Sequence, residues 1–342
     1  MKQTPAPQVV ASHPGAPHVG REQARDRARE QGRGRQADAP SQIPVRGWED
    51  VLLRVYENIG KDRVIVVAAG VTFYGVLAIF PAIAALVAIY GLFADPANLS
   101  AHLESVSGLL PEGAIDVTRD QMTRIASRGA STLGLTFLGG LVVSLWSANA
   151  GVKSMFDALN LVYNEEEKRG LIKLNLVSLA FTAAAILFLI LAIAALVVLP
   201  VTLNYIGLGA VAHRVIALGR WPLLLVVVEC ALAALYRYGP SRREPKWRWI
   251  TWGSGLAAVV WIVMSVLLSW HAANFGSYNV TYGSLGAIIG FMIWLWLSTI
   301  VVLLGAEINA ETEHQTARDT TTGAPKPLGA RRAVMADTVG AL

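Results

Sequence analysis

From Arg248 to Glu307 the chain runs for 58 residues without a lysine, arginine, aspartate or glutamate. Three more stretches are as bare: 31 residues between Arg63 and Asp95, 24 between Arg128 and Lys153, and 40 between Lys173 and Arg214. A fifth, of 16 residues between Arg220 and Arg237, is interrupted by Glu229. A water-soluble fold cannot hold so many long charge-free runs away from its surface. Only 15% of the residues are charged, against about 25% in an average soluble domain. The chain is read as one that lives in a membrane.

A helix crosses the hydrocarbon core with about 20 apolar residues, so each gap becomes one span or two. The longest gap holds two, because N-F-G-S-Y-N-V-T-Y-G-S at 274–284 is polar and turn-like. The expected fold is all-α: a polytopic bundle of six transmembrane helices near 64–93, 132–153, 171–200, 221–238, 250–270 and 283–307. Pro200 is expected to end the third span. The fourth is short, since its 16 residues make roughly 24 Å of helix.

The remaining segments are assigned around this membrane domain, 46–315. Residues 1–45, with six prolines and seven basic residues, read as a disordered basic tail, and 316–342 as a disordered C-terminal tail. Between 46 and 60, Trp48, Val51, Leu52, Val55 and Ile59 recur at helical spacing. This predicts an amphipathic helix lying in the membrane interface. In 94–131, Leu99, Leu103, Val106 and Leu110 precede Pro111, and Ile115, Met122 and Ile125 follow it. That pattern predicts a helical hairpin on the outer face between spans 1 and 2.

The basic residues set the orientation. With both termini inside, inner segments hold 24 of the 29 lysines and arginines, as the positive-inside rule requires. The expectation is an inner-membrane protein with cytoplasmic termini and lipid as its partner. The net charge of +5 is then a consequence of topology, and no nucleic-acid partner is expected.

Several separated segments carry a family resemblance. They are A-A-G-V-T-F-Y-G-V-L-A-I-F-P at 68–81, W-S-A-N-A-G at 146–151, A-L-N-L-V-Y at 158–163, L-Y-R-Y-G-P at 235–240, Y-G-S-L-G at 282–286 and L-G-A-E-I-N-A-E at 304–311. In this order they resemble the YihY/BrkB family of bacterial inner-membrane proteins over roughly 45–315. The resemblance implies a role in the cell envelope, and it brings a "ribonuclease BN" label. That label is tested by the residues. His13, His18, His102, His213, His271 and His314 are scattered, and neither H-x-x-x-H nor a paired aspartate motif occurs. No catalytic residues and no metal site are expected, and without G-x-x-x-x-G-K-[ST] no nucleotide or other cofactor is expected either. Cys230 is the only cysteine, so no intrachain disulfide can form.

Polar residues inside the spans are the candidate site. Asn149, Asn160, Glu229, Glu307 and Asn309 form either a pathway or a structural polar site. Asn149 and Asn160 are three helical turns apart on one face. Glu307 is expected to meet an arginine or tryptophan of 237–249. Pro81 should kink the first span. Gly140, Ser144 and Gly151, and the pair Gly286 and Gly290, should let helices approach closely. The acidic run at 165–167 is read as a solvated loop. Function is expected to be transport or handling of a lipid, amphiphile or small solute. A structural scaffold in envelope assembly, working with a second copy or another envelope protein, is the alternative. A membrane-bound hydrolase is the third possibility.

The orientation is checked by single-cysteine labelling in a Cys230→Ser background. Glu166→Cys should resist a membrane-impermeant maleimide in intact cells and react once the membrane is opened.

Overall fold

The computed structural model describes Arg27 and residues 29–91, 133–193, 210–275 and 285–341. Among these residues all regular elements are helical, with one isolated bridge between Pro245 and Thr321. An amphipathic helix α1 (Val45–Lys61) precedes six long helices: α2 (Val64–Gly91), α3 (Leu133–Val162), α4 (Leu171–Ile193), α5 (Ala210–Tyr238), α6 (Thr251–Phe275) and α7 (Leu285–Gln315). A short α8 (Val334–Asp337) follows. Three segments are long and apolar enough to cross a membrane: Leu171–Leu191, Thr251–His271 and Ile288–Gln315. A fourth is added if α1 and Val64–Ile79 form one broken span, bent by 60°. The outer hairpin expected at 94–131 lies outside the described residues.

Charge-free gaps underestimate helix length at several ends, because backbone hydrogen bonding continues past the last apolar residue. The fourth helix is not short. It has 29 residues and takes in Arg214, Arg220 and Pro222. Helix α3 runs on to Val162 and α7 to Gln315. Pro81 lies inside α2. The 60° turn instead falls at Asp62 and Arg63, where Arg63 has φ 49°. A left-handed residue cannot continue a right-handed helix, so α1 stops there and α2 restarts in a new direction.

Helix α7 is central, packing against α1, α2, α3, α6 and α8. Helices α2 and α3 make a close pair; α5 leans on α6, and α4 packs chiefly on α3. Large apolar side chains such as Leu171, Leu176, Val266 and Leu267 point outward, as lipid-facing surfaces do. The buried core gathers at one end of the bundle, around Ala68, Leu159, Tyr163, Tyr236, Ile250, Leu303, Ala310 and Met335.

The segments expected to be disordered tails are folded where described. Ala37 and Ile43 pack on Trp249. Arg331 is 3% exposed and donates to the carbonyls of Ala317 and Arg318 at 2.7 and 3.0 Å. Low hydrophobicity gives no sign of this order, because arginine–carbonyl bonds rather than apolar burial hold the segment.

Close helix approach occurs where glycine lacks a side chain, but not at every glycine expected. A Cβ on Gly151 would stand 3.2 Å from that of Ala78, so α2 and α3 touch there. At Gly140 and Gly290 the space is open, so those two glycines serve no close approach among the described residues. Ser144 is half-buried on α3, and Gly286 lies in the first turn of α7. The tight crossing is between α6 and α7: a Cβ on Gly253 would strike the Gly305 carbonyl and Asn309, and one on Gly305 would stand 2.7 Å from the Ala257 Cβ.

Gly253→Val and Gly305→Val should each cost about 1–3 kcal/mol through overpacking, whereas Gly290→Ala should be silent. Thermal unfolding of the detergent-purified protein reads all three.

Candidate functional site

Two motif segments some eighty residues apart in sequence meet at the charged end of the bundle. Helix α3 ends at Val162, where Asn164 (φ 51°) takes the left-handed conformation and the Glu165 N–H closes onto the Asn160 carbonyl at 2.8 Å. The Asn160 side chain accepts from the Ser241 N–H at 2.7 Å and donates to Glu167 at 3.2 Å. Arg169 donates to the carbonyls of Tyr238 and Gly239, 3.1 and 2.8 Å away. It thereby satisfies the last carbonyls of α5 with a cation at the negative helix end. Asn160 is therefore fully engaged in joining the α3–α4 turn to the end of α5.

The acidic run at 165–167 is part of this joint rather than a solvated loop. Glu165 is buried and accepts from the Val334 N–H at 2.7 Å. Partial burial pushes Glu167 up, but hydrogen bonds from Arg169 and Ser241 outweigh it and bring the carboxyl down to about 2.

Beneath the joint lies an ion pair with no solvent contact. Arg242 meets both Glu313 oxygens, at 3.0 and 2.7 Å, and both side chains are 0% exposed. The guanidinium also stacks on the Tyr163 ring at 4.0 Å, and Thr320 donates to Glu313 at 2.9 Å. Burial works against the Arg242 charge, yet the adjacent Glu313 more than offsets it and holds the guanidinium above its ordinary range. Alongside, Arg54 of α1 pairs with Glu311 and donates to the Gln315 side chain at 2.6 Å, while Asn58 donates to Glu311 at 2.8 Å. Arg35 donates to the Gln315 carbonyl at 3.2 Å, so the end of α7 is capped by the folded N-terminal segment.

Glu307 sits one turn before Glu311 on α7 and does not reach the basic 237–249 segment as expected. Glu313 takes Arg242 instead, because it lies where α7 meets that segment. Glu307 is fully buried and neither of its oxygens has a hydrogen-bond partner. It faces Asp62 in the α1–α2 turn, whose Oδ2 is likewise buried without a partner. Asn309 accepts from the Gly253 N–H at 2.9 Å. That bond satisfies an orphan donor in the first turn of α6. Its Nδ2 is left unpartnered next to the Tyr163 hydroxyl, which is also unpartnered.

The other two candidate residues lie apart from this cluster. Asn149 is buried on α3, accepts from Thr182 of α4 at 3.3 Å, and leaves its Nδ2 unpartnered. It shares a helix face with Asn160 but not its partners. Glu229 is half-buried on α5, its Oε1 near Gly255 of α6. Asp62, Tyr163, Arg242 and Glu313 were not singled out by sequence. Tyr163 lies inside a motif segment, and Arg242 inside the most basic short segment, which are the only local signals they give. Among the described residues no group of three or more His, Cys, Asp or Glu side chains could hold a metal ion.

Apolar helices with a polar, ion-paired cap at one end define an all-helical membrane protein. The chain belongs to the family described as Virulence factor BrkB, whose profile matches residues 55–328, in agreement with the resemblance carried by the motifs. Among similar proteins is one provisionally named ribonuclease-like protein YfkH, from Bacillus subtilis (strain 168). It is 34% identical over 179 residues, covering 50% of this chain and 63% of the relative. Two UPF0761 membrane proteins also match: Mpe_A1422 of Methylibium petroleiphilum (28% identical, 77% of this chain, 62% of the relative) and RSc1559 of Ralstonia nicotianae (27%, 78% and 60%). The chain thus spans about three fifths of the length of the curated relatives it matches. No solved structure matches it.

Breaking the buried pair should cost about 3–5 kcal/mol in either Arg242→Met or Glu313→Leu, since each leaves a charge stranded. The double variant should recover most of that loss, which a double-mutant cycle of thermal unfolding reads directly.

Proposed function

We propose that this protein moves or handles a lipid, an amphiphile or a small solute in the bacterial inner membrane. In this reading all six long helices cross the bilayer and both termini are cytoplasmic, so the charged end of the bundle faces the cytoplasm. The observation that carries the reading is the set of buried polar atoms without partners on spanning helices: both Glu307 oxygens, Asn309 Nδ2 and Asn149 Nδ2. Unpaired polar groups at membrane depth are costly, and in membrane proteins they mark routes for polar cargo or water. Glu229, half-buried between α5 and α6, adds a carboxylate midway along the same bundle.

A scaffold role in envelope assembly is the second reading. The outward face of α1, with Val45, Leu52, Leu53 and Tyr56 exposed beside a folded charged cap, is a surface on which a partner or the membrane interface could rest. The hydrolase reading draws only on the name of one relative that matches half of this chain.

The test is lipid translocation in liposomes holding the purified protein, with Glu229→Gln and Glu307→Gln compared with wild type. Movement above empty liposomes, lost in either variant, is the expected outcome. If wild-type liposomes move neither lipid nor small solutes, the transport reading fails and the scaffold reading takes its place.

A further inference from the structure

Glu307 and Asp62 pose a charge problem that the protein's own groups leave unsolved. Glu307 is 0% exposed, and neither oxygen receives a hydrogen bond. The buried oxygen of Asp62 is in the same position. Every neighbouring cation is already committed. On α1, Arg54 is paired with Glu311, and the Asn58 amide donates to the same carboxylate. At the α1–α2 turn, Lys61 is paired with Glu57 at 2.9 Å. On α7, His314 lies 3.4 Å from Glu311. From the 237–249 segment, Arg242 is bound bidentately to Glu313. Two facing carboxylates with no counter-charge are not a stable arrangement in a low-dielectric interior.

An independent element points into the same place. Tyr163, at the end of α3, is 0% exposed, and its hydroxyl has no partner. It stands near Glu307 and beside the unpartnered Asn309 amide. The acceptors therefore come from three separate parts of the chain: α7, the α1–α2 turn and the α3–α4 joint. All are oxygens, the ligand type that hard cations prefer. With two carboxyls and no third acidic or histidine ligand in the group, one positive charge suits the site better than a divalent ion does.

We propose that Glu307 and Asp62, with Tyr163 at their side, bind one small monovalent cation, either a proton shared between the carboxyls or a sodium ion. Asp62 is half-buried, so it connects the site to the aqueous phase, while Glu307 holds the cation inside the bundle. The site goes beyond the transport reading and does not depend on it.

Two measurements on the full-length protein in detergent distinguish the cations. Infrared difference spectra between acidic and alkaline buffer detect a protonated carboxyl. Calorimetric titration with sodium chloride, against choline chloride at fixed pH, detects sodium. A reversible carboxylic-acid band lost in Glu307→Gln and altered in Asp62→Asn supports the proton. Sodium-specific heat lost in both variants supports the metal ion. Should Glu307→Gln fail to fold, Asp62→Asn, at the half-exposed turn, carries the comparison alone. Neither signal in wild type, or signals unchanged in the folded variants, overturns the proposal. Neither measurement needs a transported substrate, so liposomes that move nothing would remove the proposed function and leave this site standing.

Discussion

Arg242 and Glu313 form a contact that water never reaches, and the charged end of the bundle is arranged around it. The guanidinium cannot be left bare, so Tyr163 lies under it and Glu313 takes both of its terminal nitrogens. The carboxylate in turn draws in Thr320, from a segment with few apolar residues. One desolvated pair thus joins the end of α3, the segment after α5, the last turns of α7 and the chain beyond it. Such pairs are poor sources of net stability, since desolvation consumes most of the attraction. Their value is specificity: a misplaced helix end strands a charge.

Arginines do the same work at the other helix ends. Arg35, Arg169 and Arg331 each donate to main-chain carbonyls that lie at or beyond a helix terminus. A carbonyl at the end of a helix has no intrahelical donor, and in a membrane protein it cannot rely on water at every depth. Positive charge on this side of the bundle therefore has two uses. It satisfies the topological rule that lysine and arginine accumulate there, and it closes the helices.

The helices were legible in sequence because apolar runs report the solvent they will meet. Each of the six expected segments contains a long helix, and errors lie at the ends, as at Arg214 and Arg220, now inside α5. The polar cluster was half legible. Glu307 and Asn309 stood out because charge and amide are rare in such runs, and both are buried. Their partners could not be read, because Asp62, Tyr163 and Glu313 sit among ordinary polar residues and become special only through contacts between distant parts of the chain. The terminal segments were misread for a related reason: composition reports apolar burial, not hydrogen bonds from a few buried arginines. Glycine was ambiguous too. Gly140 and Gly253 look alike in sequence, but only one has a helix against it.

The bond from the Gly253 N–H to the Asn309 side chain sits where α6 and α7 approach so closely that no side chain fits. Such a contact has only one setting. Sliding α6 past α7 by a turn, roughly 5.4 Å, would uncap α6 and drive side chains into the space that Gly253 and Gly305 leave empty. These two helices are thereby denied the ratchet-like shear by which many packed helices change state. Any rearrangement of the bundle must pivot elsewhere, and α4, which packs chiefly on α3, is the member with the least to hold it still.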